Sequence, residues 1–186
     1  MPNIHIPDHA MADPLGYALT RHSPVIGRAA GEFVKSVYQS VRLPLRLAEA
    51  ARYRIAQING CLVCKGFRAA DHLDGYLDAV GGDRTTSLVA RGGERPDEAF
   101  YAAIDEWQTS PLLNDRERLA VDLAERMAFS PNELGYDEEF WAKMRAAFDD
   151  AEIADLTLAI GRWMAMGRFT HALGLDTVCL PTSAAA

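Results

Sequence analysis

The chain has 186 residues, 49% of them hydrophobic and 24% charged, and a net charge of −7, which fits one soluble domain with a real core and argues against a nucleic-acid surface. No apolar run reaches the ~18 residues of a membrane span, and Met1 to His9 lacks the basic region and apolar core of a secretory signal. Three cysteines are too few for a disulfide-stapled secreted domain, so the expected location is cytoplasmic.

Residues 1–22 hold Pro2, Pro7, Pro14 and Gly16 without clear periodicity and are expected to form an extended arm lying on a neighbouring subunit. Ser23-Pro24 opens a helix, with a capping hydroxyl and a proline at the first helical position. Ile26, Ala29, Ala30, Phe33, Val34, Val37 and Tyr38 then recur at steps of three and four, an amphipathic pattern. A second helix follows Pro44, with Leu47, Ala50, Ala51, Ile55 and Ile58 on its buried side, and stops at Asn59-Gly60. The third is predicted to begin at Cys61 and run through Lys65, Phe67, Ala70 and Leu73 to a glycine stop at Gly81-Gly82. Residues 83–96 read as a loop with a short helix in it, and a fourth helix turns Phe100, Ile104 and Trp107 inward.

Asn114-Asp115-Arg116-Glu117 is a capping-box-like start for a helix with Leu119, Leu123 and Met127, which Ser130-Pro131-Asn132 stops. Phe140, Met144, Ala147 and Phe148 make the next. Asp149 to Glu152 repeats the capping pattern before a long last helix carrying Ile153, Leu156, Ile160, Trp163, Met164 and Gly167, which Gly174 ends. No segment reads as a strand and no linker divides the chain. The fold class is all-α, with a helical domain over 23–178 and a short tail over 179–186.

The chemistry-bearing stretch is Asn59-Gly60-Cys61-Leu62-Val63-Cys64, with Glu49 twelve residues ahead of the first cysteine and Arg68 four residues after the second. Cys-x-x-Cys spacing on a helix puts two sulfurs one turn apart, close enough to form and reopen a disulfide. A helix start favours the thiolate over the thiol, giving a nucleophile near neutral pH. The plainer alternatives are two small core residues or half a zinc site, but no second Cys or His pair at zinc spacing follows. No metal or organic cofactor is therefore assigned.

Glu49, the Ile58-to-Cys64 run and the Asp150-Ala151-Glu152-Ile153-Ala154-Asp155-Leu156-Thr157 segment resemble the carboxymuconolactone decarboxylase superfamily, and within it the alkylhydroperoxidase D-like (AhpD-like), peroxidase-related branch. The likeness spans roughly residues 23–175. It implies an AhpD-like bundle of about seven to eight helices, assembled as a dimer, trimer or hexamer, and a dithiol–disulfide cycle that reduces hydroperoxides at the expense of an external dithiol reductant. The resemblance maps the family glutamate onto Glu49 and its cysteines onto Cys61 and Cys64. Where the family has a proton-relaying histidine, this chain has Arg68.

Arginine stays protonated, so Arg68 can stabilise a thiolate at Cys64 but cannot pass a proton back and forth. Three stand-ins are open: Glu49 acting through water, His72, or His171 from the last helix. Cys64 is taken as the attacking sulfur and Cys61 as the resolving one. The plain readings set beside these are Glu49 as a surface carboxylate paired with Arg46 or Arg52, Arg68 facing Asp71 or Asp74, and His72 facing solvent beside Asp71. Likewise His171 reads as a core residue on the apolar face of the last helix, Trp163, Met164 and Met166 as core or subunit-interface residues, and Cys179 as a bystander. Two rival functions remain: a lactone decarboxylase working by acid–base chemistry, and an oligomeric redox sensor that does not turn over.

Overall fold

The computed structural model describes residues 1–176, so Cys179 and the tail over 179–186 lie outside the described residues. Among the described residues the fold is all-helical: α1 (Pro14–Tyr17), α2 (Pro24–Ser40), α3 (Leu45–Ile58), α4 (Leu62–Gly66), α5 (Ala69–Ala79), α6 (Glu98–Ala103), α7 (Asp115–Phe129), α8 (Pro131–Leu134), α9 (Glu138–Ala147) and α10 (Asp150–Ala172). That is ten helices, α1 and α8 being single turns that the sequence periodicity does not mark.

Helix α3 is the axis of the molecule, packed against both α7 and α10. Ala48, Ala51 and Ile55 enter the main core with Leu123, Ala124, Leu156 and Ile160. On another side Ala50 meets a second cluster built by Phe100, Tyr101, Ile104 and Val121. A helix enclosed on several sides buries whatever side chains it carries, polar ones included. Glu49 and Arg52 are accordingly buried within it.

The capping boxes expected at Asn114 and Asp149 both form, with Glu117 and Glu152 returning a hydrogen bond to the cap. Gly60 and Gly174 close α3 and α10 at positive φ, the region where glycine has no β-carbon to clash. Ser23, by contrast, gives no side-chain cap to α2; Pro24 begins that helix without it.

Two expectations are corrected. The first concerns the arm over residues 1–22, of which residues 14–22 are helical and not extended. Asp13 caps α1, which continues through one wider turn to His22. Asn3 donates from its backbone to Leu173 O and from its side chain to Ala172 O, at 2.8 Å each, and Ile6 and Ala18 are buried with Leu175. The apolar residues of this segment have an irregular spacing because they cover the end of α10.

The second concerns the cysteine helix, which does not run on to Gly81. It ends at Gly66; Phe67 and Arg68 are extended, and α5 starts afresh at Ala69. This break frees carbonyl groups at the end of α4, and their partners define the site.

Candidate functional site

A disulfide joins Cys61 and Cys64. Cys61 is the residue before α4, fully buried, and its sulfur accepts the Cys64 N–H at 3.2 Å. Cys64 is only half-buried and lines a cavity of about 240 Å³ bounded by α1, α2, α3, α5 and α10. The two sulfurs therefore differ in access: Cys64 faces space and Cys61 faces packed side chains.

The freed carbonyls of the α4–α5 break are held by two guanidinium groups. Arg52 donates to Cys64 O at 2.6 Å and to Phe67 O at 2.9 Å. Its remaining donors go to Glu49, Nη2 to Oε2 at 3.1 Å and Nε to Oε1 in a short contact. Glu49 Oε2 also accepts from the Ala69 N–H at 3.2 Å, at the start of α5, and from the Tyr101 hydroxyl at 2.6 Å. Burial alone would lower the Arg52 pKa, but the Glu49 carboxylate reverses the sign and holds it above its ordinary value. Tyr101 is pushed up, first by burial and then by the charge of Glu49.

Glu49 is thus a buried, fully partnered carboxylate that reaches the cysteine segment through Arg52. Of the two partners weighed for it from sequence, Arg52 is the observed one, in the interior and not at the surface. Arg46 pairs with Glu117 and Glu94 instead. Arg52 was weighed only as a surface partner, so its hold on the Cys64 carbonyl was missed, and Tyr101 was missed altogether. The three-residue spacing from Glu49 to Arg52 was a usable signal; Tyr101, 52 positions away, left none.

Arg68 does not face Asp71 or Asp74. Its guanidinium forms a two-pronged pair with Glu98 at 2.7 and 3.0 Å, donates to Lys65 O and Phe67 O, and lies 4.0 Å from the centre of the Tyr101 ring. The bond to Glu98 raises the Arg68 pKa and lowers that of Glu98. Among the described residues, no Arg68 hydrogen bond goes to the sulfur of Cys61 or Cys64. The reason is the helix break: Arg68 is the residue that caps α5, so helical spacing from Cys64 does not apply to it.

The histidines also sit differently from expectation. His72 is half-buried, its Nδ1 accepting the Arg68 N–H at 2.9 Å while its ring packs against Phe67. His171 is not on an apolar face; its side chain is 53% exposed and its Nδ1 bonds Asp176 Oδ2 at 2.9 Å. Asp176 in turn accepts the Leu62 N–H at 3.0 Å, and the His171 ring lies over Gly60. His171 therefore braces the start of α4 from outside and does not line the cavity that Cys64 faces. Trp163 and Met166 do line it, a role beyond core or interface packing.

Among the described residues no cluster of three or more His, Cys, Asp or Glu is arranged to hold a metal ion. No helix among them is long and apolar enough to cross a membrane.

A crystal structure of an Agrobacterium tumefaciens protein of unknown function, described as a candidate antioxidant defence protein AhpD, superposes with a TM-score of 0.61 over 86% of this chain and 94% of that one. The fold is AhpD-like. Identity between the two is 22%, so this likeness speaks for the fold alone. No protein-family model matches the chain. Curated relatives include the uncharacterized protein YnjA of Escherichia coli, 33% identical over 93 residues (50% of this chain and 49% of YnjA). An uncharacterized Mycobacterium tuberculosis protein is 28% identical over 144 residues, 77% of this chain and 43% of that protein. The chain thus spans about half the length or less of these two relatives. YdfG of Bacillus subtilis, also uncharacterized, is 23% identical over 126 residues, 68% of this chain and 72% of YdfG.

Proposed function

We propose that this AhpD-like protein is a thiol-dependent peroxidase that cycles Cys61 and Cys64 between dithiol and disulfide. The observation that carries the reading is the asymmetry of the pair: Cys64 opens onto an apolar cavity while Cys61 is buried directly beside it, joined to it in a disulfide.

In the reduced protein the Cys64 thiolate attacks the terminal oxygen of a hydroperoxide. An S–O bond forms as the O–O bond breaks, two electrons pass from sulfur to the peroxide, and the departing alkoxide takes a proton from solvent. Cys61 then attacks the Cys64 sulfenic acid, closing the disulfide and releasing water. An external dithiol returns two electrons and two protons through a mixed disulfide.

Glu49 serves here as a positioning residue: it holds Arg52, and Arg52 holds the Cys64 carbonyl. In the same reading Arg68 ties the α4–α5 break to Glu98, and His171 with Asp176 steadies Leu62 at the start of α4. Homo-oligomeric assembly belongs to the proposal as well; Val25 and Ile26, adjacent and exposed on α2, are apolar surface for a second copy.

A redox sensor is the second reading, favoured by one observation: among the described residues no imidazole or carboxylate lines the cavity at Cys64. Hydroperoxide consumption under a dithiol reductant separates the two. Multiple turnovers that vanish in Cys64→Ser support the peroxidase, one equivalent consumed per protein supports the sensor, and no consumption removes both. A decarboxylase would keep its activity with both cysteines replaced by serine.

A further inference from the structure

Arg162, on α10, lines the same cavity as Cys64 and is 8% exposed. Its guanidinium stacks on Tyr38, 4.6 Å from the ring centre, and donates once, to the Tyr38 hydroxyl at 3.3 Å. Its Nε has no hydrogen-bond partner, and among the described residues no carboxylate lies within ion-pairing distance of it. The indole N–H of the neighbouring Trp163, 5% exposed and lining the same space, is also without a partner.

Buried cations are normally paired, because the interior does not replace lost hydration. The other arginine of this cavity obeys the rule: Arg52 is matched by Glu49. Arg162 is the exception, a desolvated fork of donors at the edge of a cavity whose walls are otherwise mostly aliphatic and aromatic. A carboxylate is the anion whose two oxygens match that fork.

We infer that the cavity takes an amphipathic monocarboxylic acid, its carboxylate on Arg162 and its hydrocarbon body against Val34, Ile55, Phe67 and Trp163. Resting on the peroxidase reading, this names the substrate class: an aliphatic hydroperoxide that carries a carboxylate. The cavity of about 240 Å³ matches roughly eight water-sized groups at ~30 Å³ each, the bulk of a medium-length chain.

The test needs no turnover. Octanoate, 1-octanol and octylamine are titrated into the full-length reduced protein by calorimetry. Octanoate is expected to bind at least about tenfold more tightly than 1-octanol, with octylamine weakest. In Arg162→Met the octanoate advantage disappears while 1-octanol binding is retained; Arg162→Lys keeps part of it. Equal affinity for octanoate and 1-octanol in the unmodified protein, or an octanoate advantage that survives in Arg162→Met, overturns the inference. The ligand comparison in the unmodified protein decides even where Arg162→Met does not fold. Octanoate preference without hydroperoxide consumption removes the peroxidase reading and supports the site. Turnover of cumene hydroperoxide without octanoate preference overturns the site and spares the peroxidase.

Discussion

Arg52 shows how one buried side chain organises a reactive segment. Its guanidinium makes four hydrogen bonds, two to the Glu49 carboxylate and one each to the carbonyls of Cys64 and Phe67, so a single charge pair fixes both the end of α4 and the approach to α5. Removing one member of a buried pair strands the other without water. Arg52→Met is therefore expected to lower stability by about 3–5 kcal/mol in urea unfolding. Glu49→Gln combined with Arg52→Met should cost less than the sum of the single changes, because each single change counts the same lost pair. Tyr101→Phe removes only one bond to the carboxylate and should cost about 1–3 kcal/mol. A peroxidase rate that falls with Arg52→Met while Cys64 remains accessible would mark Arg52 as positioning the cysteine segment.

At the scale of elements, two of the contacts that hold α10 in the fold carry predictions. Near its C-terminal half, Gly167 allows Asn59 to approach closely, and the Asn59 amide donates to Trp163 O at 3.1 Å. A β-carbon at Gly167 would run into that amide, so Gly167→Ala should destabilise by about 1–3 kcal/mol and disturb the α3–α4 turn that presents Cys61. Near its start, Asp155 accepts from the Arg42 backbone N–H at 2.9 Å and from the Arg42 guanidinium at 2.8 and 3.0 Å. The side-chain bond from Arg42 holds the Asp155 pKa below its ordinary value, against the opposing effect of partial burial. A carboxylate lowered in the folded state stabilises above its unfolded value, about 3.9, and that contribution is lost as pH falls through the lower folded value. Thermal unfolding of Asp155→Asn should consequently lie below the unmodified protein at pH 6, with the gap closing as pH falls below the unfolded value of about 3.9.

Over the whole molecule, the residues before α2 form one wall of the cavity. Leu15 and Leu19 line it opposite the cysteine segment, while Asn3 and Ile6 fasten the same stretch to the end of α10. Leu15 and Leu19 thus belong to a segment that is itself anchored on the C-terminal end of α10. Replacing Leu15 and Leu19 by alanine together should speed iodoacetamide alkylation of Cys64 in the reduced protein severalfold. Cys61 should stay slow, because it is fully buried and does not line the cavity that Leu15 and Leu19 wall. Peptide mass mapping of the alkylated cysteines checks both halves of that expectation.

The local signals were sufficient for the helical class, both capping boxes, and the glycine ends of α3 and α10. Each depends on neighbours within one or two helical turns, where spacing and residue type act directly. The α4–α5 break was not legible, because the carbonyls it frees are satisfied by Arg52, which α3 brings from outside the segment, and by Arg68, whose position the break itself determines. Burial of the Glu49–Arg52 pair was hidden for a related reason: α3 is enclosed by α7, α10 and the Phe100–Tyr101 cluster, and no one-dimensional pattern says that several sides of a helix are covered. Tertiary structure alone decided that Arg68 pairs with Glu98, that His171 braces Leu62 through Asp176, and that Arg162 shares a cavity with Cys64. Residues far apart in the chain meet only after packing has selected which helix faces touch.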